Sequence, residues 1–137
     1  LIRFDPQYFQ KSSFTPEIIG RYFHNAERDL KIAHADPYPE VRFSYAYQAL
    51  IKAGIALIAQ EGGVKVRSVP GHHVKVIDTL SALLKDEDIK IVGHAIRKKR
   101  NLDLYEGGEM ISKKEADDYA RFVDGVITLI KKKLKIK

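Results

Sequence analysis

Apolar residues recur at helical spacing in five stretches of this chain, and the breaks between them carry capping or turn residues. The first stretch holds Ile18, Ile19, Tyr22, Phe23, Ala26, Leu30 and Ala33, with Arg21, Glu27, Arg28 and Lys31 at other positions. It opens at Thr15-Pro16-Glu17. Thr15 can cap free amides, Pro16 has its φ already set for a first helical position, and Glu17 meets the positive end of the dipole. Asp36-Pro37-Tyr38-Pro39 is a break, because each proline denies its predecessor the helical region. From Pro39 to about Gln60 the chain is apolar nearly all round: Val41, Phe43, Tyr45, Tyr47, Ala49, Leu50, Ala53, Ile55, Ala56, Leu57, Ile58 and Ala59. Such a helix must be covered on more than one side, as the centre of a bundle or at a contact with a second subunit.

Glu61-Gly62-Gly63 ends that helix, and a loop with Lys65 and Arg67 exposed runs to Pro70-Gly71. The spacing of Val74, Ile77, Leu80, Leu83 and Leu84 predicts a third helix from about His72 to Leu84. Asp86 can cap a fourth, with Ile89, Val92 and Ile96 on its stripe. Ser112-Lys113-Lys114-Glu115 is a capping-box pattern. It leads a fifth helix through Ala116, Tyr119, Ala120, Val123, Val126, Ile127, Ile130 and Leu134. Residues Leu1 to Phe14 have aromatics but no period, and read as an irregular arm or short helical turn packed across the bundle. Val64-Lys65-Val66 is a weak strand candidate. The expected fold is all-α, an antiparallel bundle of about five helices forming one domain over residues 1–137, with 1–14 as an N-terminal arm.

Composition adds little to this picture. An apolar fraction of 45% and a charged fraction of 31% are those of a soluble globular protein. With 0 cysteines, disulfide frameworks and thiolate metal sites are excluded, and a cytoplasmic location fits. No apolar run spans a bilayer and no secretory leader is seen, so no membrane partner is expected. Leu1 stands where Met would, as in a trimmed N-terminus. The net charge of +6 sits partly in the tail Lys131-Lys132-Lys133-Leu134-Lys135-Ile136-Lys137 and favours phosphate-bearing partners in general terms.

The fourth helix changes the picture. Continuing its stripe past Ile96 meets Lys99 and Asp103, poor core residues, so the helix should leave the core, bend or end there. At about 100° per residue, His94, Arg97, Asn101 and Tyr105 share one side, with Arg100 at its flank. These residue types bind anions or move protons. Among the other histidines, His24 and Glu27 fit a helix-surface pair with no third metal ligand. Adjacent His72 and His73 should point in different directions, which disfavours joint chelation and suits a contact with a neighbour.

A Tyr/Ala-rich helix, a loop ending Gly71-His72-His73, a further helix, and then Arg100-Asn101-Leu102-Asp103-Leu104-Tyr105 follow in order. A Ser-led last helix carries Glu115-Ala116 and Ala120-Arg121-Phe122. From Thr15 onward this resembles the HEPN superfamily, the higher eukaryote and prokaryote nucleotide-binding domains. The resemblance implies a helical bundle, usually a homodimer, often beside a minimal nucleotidyltransferase in a toxin–antitoxin pair; active members are metal-independent ribonucleases. The family motif is an arginine, a polar residue, and a histidine after four to six intervening residues. Arg100 and Asn101 match its first two positions. The histidine position is Tyr105, with Glu106 and Gly107 at the longer spacings, and an Arg-x-x-Asp-Tyr type of branch matches better.

That departure has chemical weight. Ribonuclease chemistry needs a base and an acid near neutrality, and tyrosine, with a reference pKa of about 10, is a poor base. Arg97 and Arg100 still offer planar forks for phosphate. The expectation is therefore a phosphate-binding module for nucleotide or RNA, non-catalytic, lined by His94, Arg97, Arg100, Asn101 and Tyr105, with no cofactor and no metal. Two alternatives stand beside it. One is a ribonuclease whose rearranged site uses Arg100 and Tyr105 plus an imidazole from His94 or His72. The other is a structural dimerisation domain in which Arg97 to Arg100 pair with Asp103 and Glu106 between subunits.

Overall fold

The apolar stretch beginning at Pro39 forms the longest helix and the centre of the molecule. The computed structural model describes residues 2–106 and 111–136, with side chains described for 2–101 and 111–136. Five helices, α1 (Pro16–Ala35), α2 (Pro39–Gly62), α3 (His72–Leu84), α4 (Glu87–Glu106) and α5 (Lys113–Leu134), surround one core, with two short strands, β1 (Phe9–Lys11) and β2 (Val64–Val66). The all-α bundle expected from the spacing is observed. No helix among the described residues is long and apolar enough to cross a membrane.

The ends of the helices follow local chemistry. Thr15 accepts a hydrogen bond from the Ile18 amide at 3.2 Å, with Pro16 inside the first turn of α1. Ser112 and Glu115 satisfy each other's backbone amides in a reciprocal capping box, at 3.0 and 3.3 Å. Asp86 accepts from the Asp88 amide at 3.0 Å as α4 begins. Gly63 ends α2 at φ +60°, a conformation in which a side chain would clash with the backbone.

α2 packs on α1, α3 and α5. Its Ala46, Ala49, Ala53, Ala56 and Ala59 are all buried, and Tyr47, Leu50, Leu57 and Ile58 fill the centre. Gly54 and Gly93 bring helices close on either side of α3: an added Cβ would lie 2.9 Å from Val76 and 2.8 Å from Ile77 respectively. α1 runs antiparallel to α2, as the contacts of Asp29 with Lys52 and Ala33 with Arg42 require. α5 instead returns alongside α2 in the same direction, because Arg42 pairs with Asp117 and Gln60 reaches Lys133.

Two expectations are corrected. The N-terminal arm is not irregular throughout: the Asp5 carbonyl accepts from the Tyr8 and Phe9 amides in a short turn, and Phe9–Lys11 then pairs antiparallel with Val64–Val66, the weak strand candidate. Three-residue strands are too short to show an alternating pattern in sequence. The arm also grips the loop beyond β2. The Arg67 amide donates to the Tyr8 carbonyl at 2.7 Å, and Arg67 Nε donates to the Pro6 carbonyl at 2.9 Å. Nor does α4 leave the core where its stripe gives out, since Lys99 is only 21% exposed and its ammonium lies 3.4 Å from Glu115 of α5. A lysine stem packs like an aliphatic chain while its head finds a carboxylate.

Candidate functional site

The second half of α4, the start of α3 and the loop before it enclose an open cleft of about 400 Å³. Arg97, Arg100 and Asn101 form one wall, three and four residues apart and so on one face of the helix. The opposite wall is Ser68, Val69, Pro70, Gly71, His72, His73 and Val74. No carboxylate lies among these residues, so nothing in the described lining offsets the two guanidinium charges. α3 begins here with Gly71, at φ +83°, as its N-cap, which has no side chain to occupy the first-turn amides. The positive end of that helix therefore faces the same space as the arginines.

Arg100 lies over the ring of Tyr47, its guanidinium carbon 5.1 Å from the ring centroid. Its Nε is buried and has no hydrogen-bond partner among the described residues. A buried charged donor without an acceptor is costly, so the position favours an anion that could accept from the fork. Arg97 is held differently, with Nε donating to His94 Nδ1 at 3.4 Å. His94 Nε2 lies 2.7 Å from Asp78 Oδ1. A carboxylate can only accept, so Nε2 carries the proton and the neutral ring's Nδ1 is the acceptor for Arg97. Neither arginine pairs with a carboxylate among the described residues.

Beneath Arg100, the Tyr47 hydroxyl lies 2.7 Å from His73 Nδ1. Tyr47 is 1% exposed, and burial pushes its pKa up to about 12, partly offset by Arg100 and Arg97. Burial pushes His73 down to about 4, helped by the positive charge of Arg100 and Arg97 and by repulsion from His72 whenever that ring is protonated. Both groups are neutral at pH 7. The phenol donates to Nδ1, and the proton of His73 sits on Nε2. His72 has the other tautomer, because its Nδ1 lies 2.7 Å from the Val69 carbonyl oxygen and must donate to it. The two rings do not diverge as their adjacency predicts. They meet edge to face with centroids 4.3 Å apart, since His72 occupies the first helical position and turns back onto the loop.

Of the residues singled out in sequence, Arg97, Arg100 and Asn101 come together in the cleft. His94 does not line it and acts on Arg97 from behind. The backbone of Tyr105 belongs to α4, but its side chain lies outside the described residues, as do those of Asp103 and Glu106. Tyr47 and Asp78 were missed, whereas the contact with a neighbour expected of the histidine pair is made by His73 with Tyr47. Tyr47 sits in a run that reads as pure core, and its hydroxyl was the one available signal. His24 bonds Glu27 at 3.0 Å as a surface pair. A separate, mainly apolar cavity of about 290 Å³ lies between Phe14, Tyr22, Ile55 and Val64, with Lys52 and Lys65 also in its lining and neither Arg97 nor Arg100. Comparison with family models, curated proteins and solved structures finds no match to this chain.

Proposed function

We propose that this chain is a HEPN-like binding module whose cleft holds a phosphate of a nucleotide or RNA without cutting it. The observation that carries the reading is Arg100, a cation over Tyr47 with a buried, unpartnered Nε, in a cleft that has Arg97 and a helix N-terminus but no carboxylate among the described residues. Guanidinium forks and helix amides are the usual means of gripping phosphate. The neutral Tyr47–His73 pair supports the same reading, because it floors the cleft without adding charge that would compete. In this reading the module works as a homodimer beside a minimal nucleotidyltransferase, toxin–antitoxin fashion, and the partner performs the chemistry.

Isothermal titration of the full chain with nucleotides and short RNA at low salt tests the proposal. Binding that disappears in Arg100→Ala supports it, and binding indifferent to Arg100 overturns it. The runner-up reading is a metal-independent endoribonuclease. In its favour is an imidazole, His72, in the same cleft as the arginines. RNA incubated with nuclease-free protein in EDTA distinguishes the two, and intact RNA at high protein excess excludes the second.

A further inference from the structure

Phosphate oxygens in a diester only accept hydrogen bonds, so a cleft for phosphate alone is served by donors. Arg97, Arg100 and the first turn of α3 are donors. His72, in its neutral form, supplies something else. The Val69 carbonyl takes a hydrogen bond from His72 Nδ1 at 2.7 Å and another from the His72 backbone amide at 3.1 Å. The ring is thus tied to the loop at one edge, with the His73 ring packed against it edge to face. With the proton on Nδ1, the neutral ring keeps a lone pair on Nε2 that can accept from a donor in the cleft His72 lines.

We infer that His72 is a specificity-determining residue, whose Nε2 accepts a hydrogen bond from a hydroxyl vicinal to the bound phosphate. This rests on the phosphate reading above and deepens it. In a ribonucleotide linkage the 2′-hydroxyl sits on the carbon beside the one bearing the 3′-phosphate. Phosphate on the arginines therefore brings that hydroxyl to the cleft together with it. A 2′-deoxy strand offers the same phosphate and no donor. The 2′-hydroxyl is the group by which proteins tell RNA from DNA, and an acceptor left unpaired in a complex weakens it.

The test is fluorescence anisotropy of the full chain, at low salt and about pH 8, above the ordinary imidazole range. The probes are three labelled oligoadenylates of equal length: ribo, 2′-deoxy and 2′-O-methyl. The ribo strand is expected to bind about tenfold more tightly than both others, because the methyl ether keeps the oxygen but has no proton to donate. In His72→Phe the ribo-to-deoxy ratio should fall to about one. His72→Gln, whose amide oxygen can accept near the position of Nε2, should retain part of the preference. Equal affinity of the wild-type chain for all three strands overturns the role of His72 and leaves the phosphate reading standing. Binding to none of them overturns both. A ribo preference that persists undiminished in both variants, with unchanged far-UV circular dichroism, also overturns the role of His72.

Discussion

The Tyr47 hydroxyl and His73 Nδ1, 2.7 Å apart, join the buried centre of α2 to the first turn of α3 directly beneath Arg100. The bond sets the tautomer of His73, while burial and the neighbouring cations keep the ring uncharged. Tyr47→Phe should leave Nδ1 unpaired and cost about 1–2 kcal/mol in urea unfolding. The His73 pKa should nevertheless stay well below the ordinary imidazole value, because burial and the arginines remain, as read from its Cε1 proton in an NMR titration. In the wild-type chain, long-range ¹H–¹⁵N spectra should show His72 protonated on Nδ1 and His73 on Nε2.

The same pair gives stability a defined pH dependence. His73 falls to about 4 when folded, whereas in the unfolded chain it titrates near the ordinary value of about 6.5. The unfolded state then binds more protons across that window, so stability contributed by His73 is complete above about pH 6.5 and is lost as pH falls toward 4. Tyr47, raised to about 12, works at the other end: the unfolded phenol ionises first, and stability falls as pH rises from about 10 to 12. Thermal melts should decline at both ends. In Tyr47→Phe the alkaline decline should shrink.

Arg100 and Arg97 should differ in their tolerance of substitution. Arg100→Lys keeps the charge but loses the planar fork and its stacking on Tyr47, and should weaken nucleotide binding nearly as much as Arg100→Ala, about tenfold or more. Each arginine removed should lower the slope of log affinity against log salt by about one. Titrations at several salt concentrations check both statements.

His94 should act only through Arg97. His94→Ala and Asp78→Asn are expected to weaken binding by about three- to tenfold, and neither should add to Arg97→Ala in a double-mutant cycle. Additive losses would assign His94 a contact of its own with the ligand.

The helices were legible because their signals are local. Thr15, Asp86 and Ser112 cap where their positions in the chain indicate, and the buried alanines of α2 follow from its apolar surface. The wall formed by Arg97, Arg100 and Asn101 was legible for the same reason, being three and four residues apart on one helix. The opposite wall was not. His72 turns back to Val69 and His73 reaches Tyr47, and such pairings depend on how α2, α3 and α4 sit together, which no periodicity encodes. Lys99 misled because a charged residue on a core stripe looks like the end of packing. Glu115, from a helix that follows it in the chain, makes it a packed position instead.

The arm that pairs with β2 and holds Arg67 has a bearing on how this cleft would respond to change. The loop carrying Val69 and Gly71 is continuous with a segment anchored at Pro6, Tyr8 and Phe9, and the Tyr8 ring packs directly beside Gly71. Affinity can thus drift through substitutions in the first dozen positions while the charged residues and the helical scaffold stay as they are. A mutational scan confined to arginines and histidines would overlook that inherited sensitivity. Two variants with the same cationic wall could then rank very differently as binders.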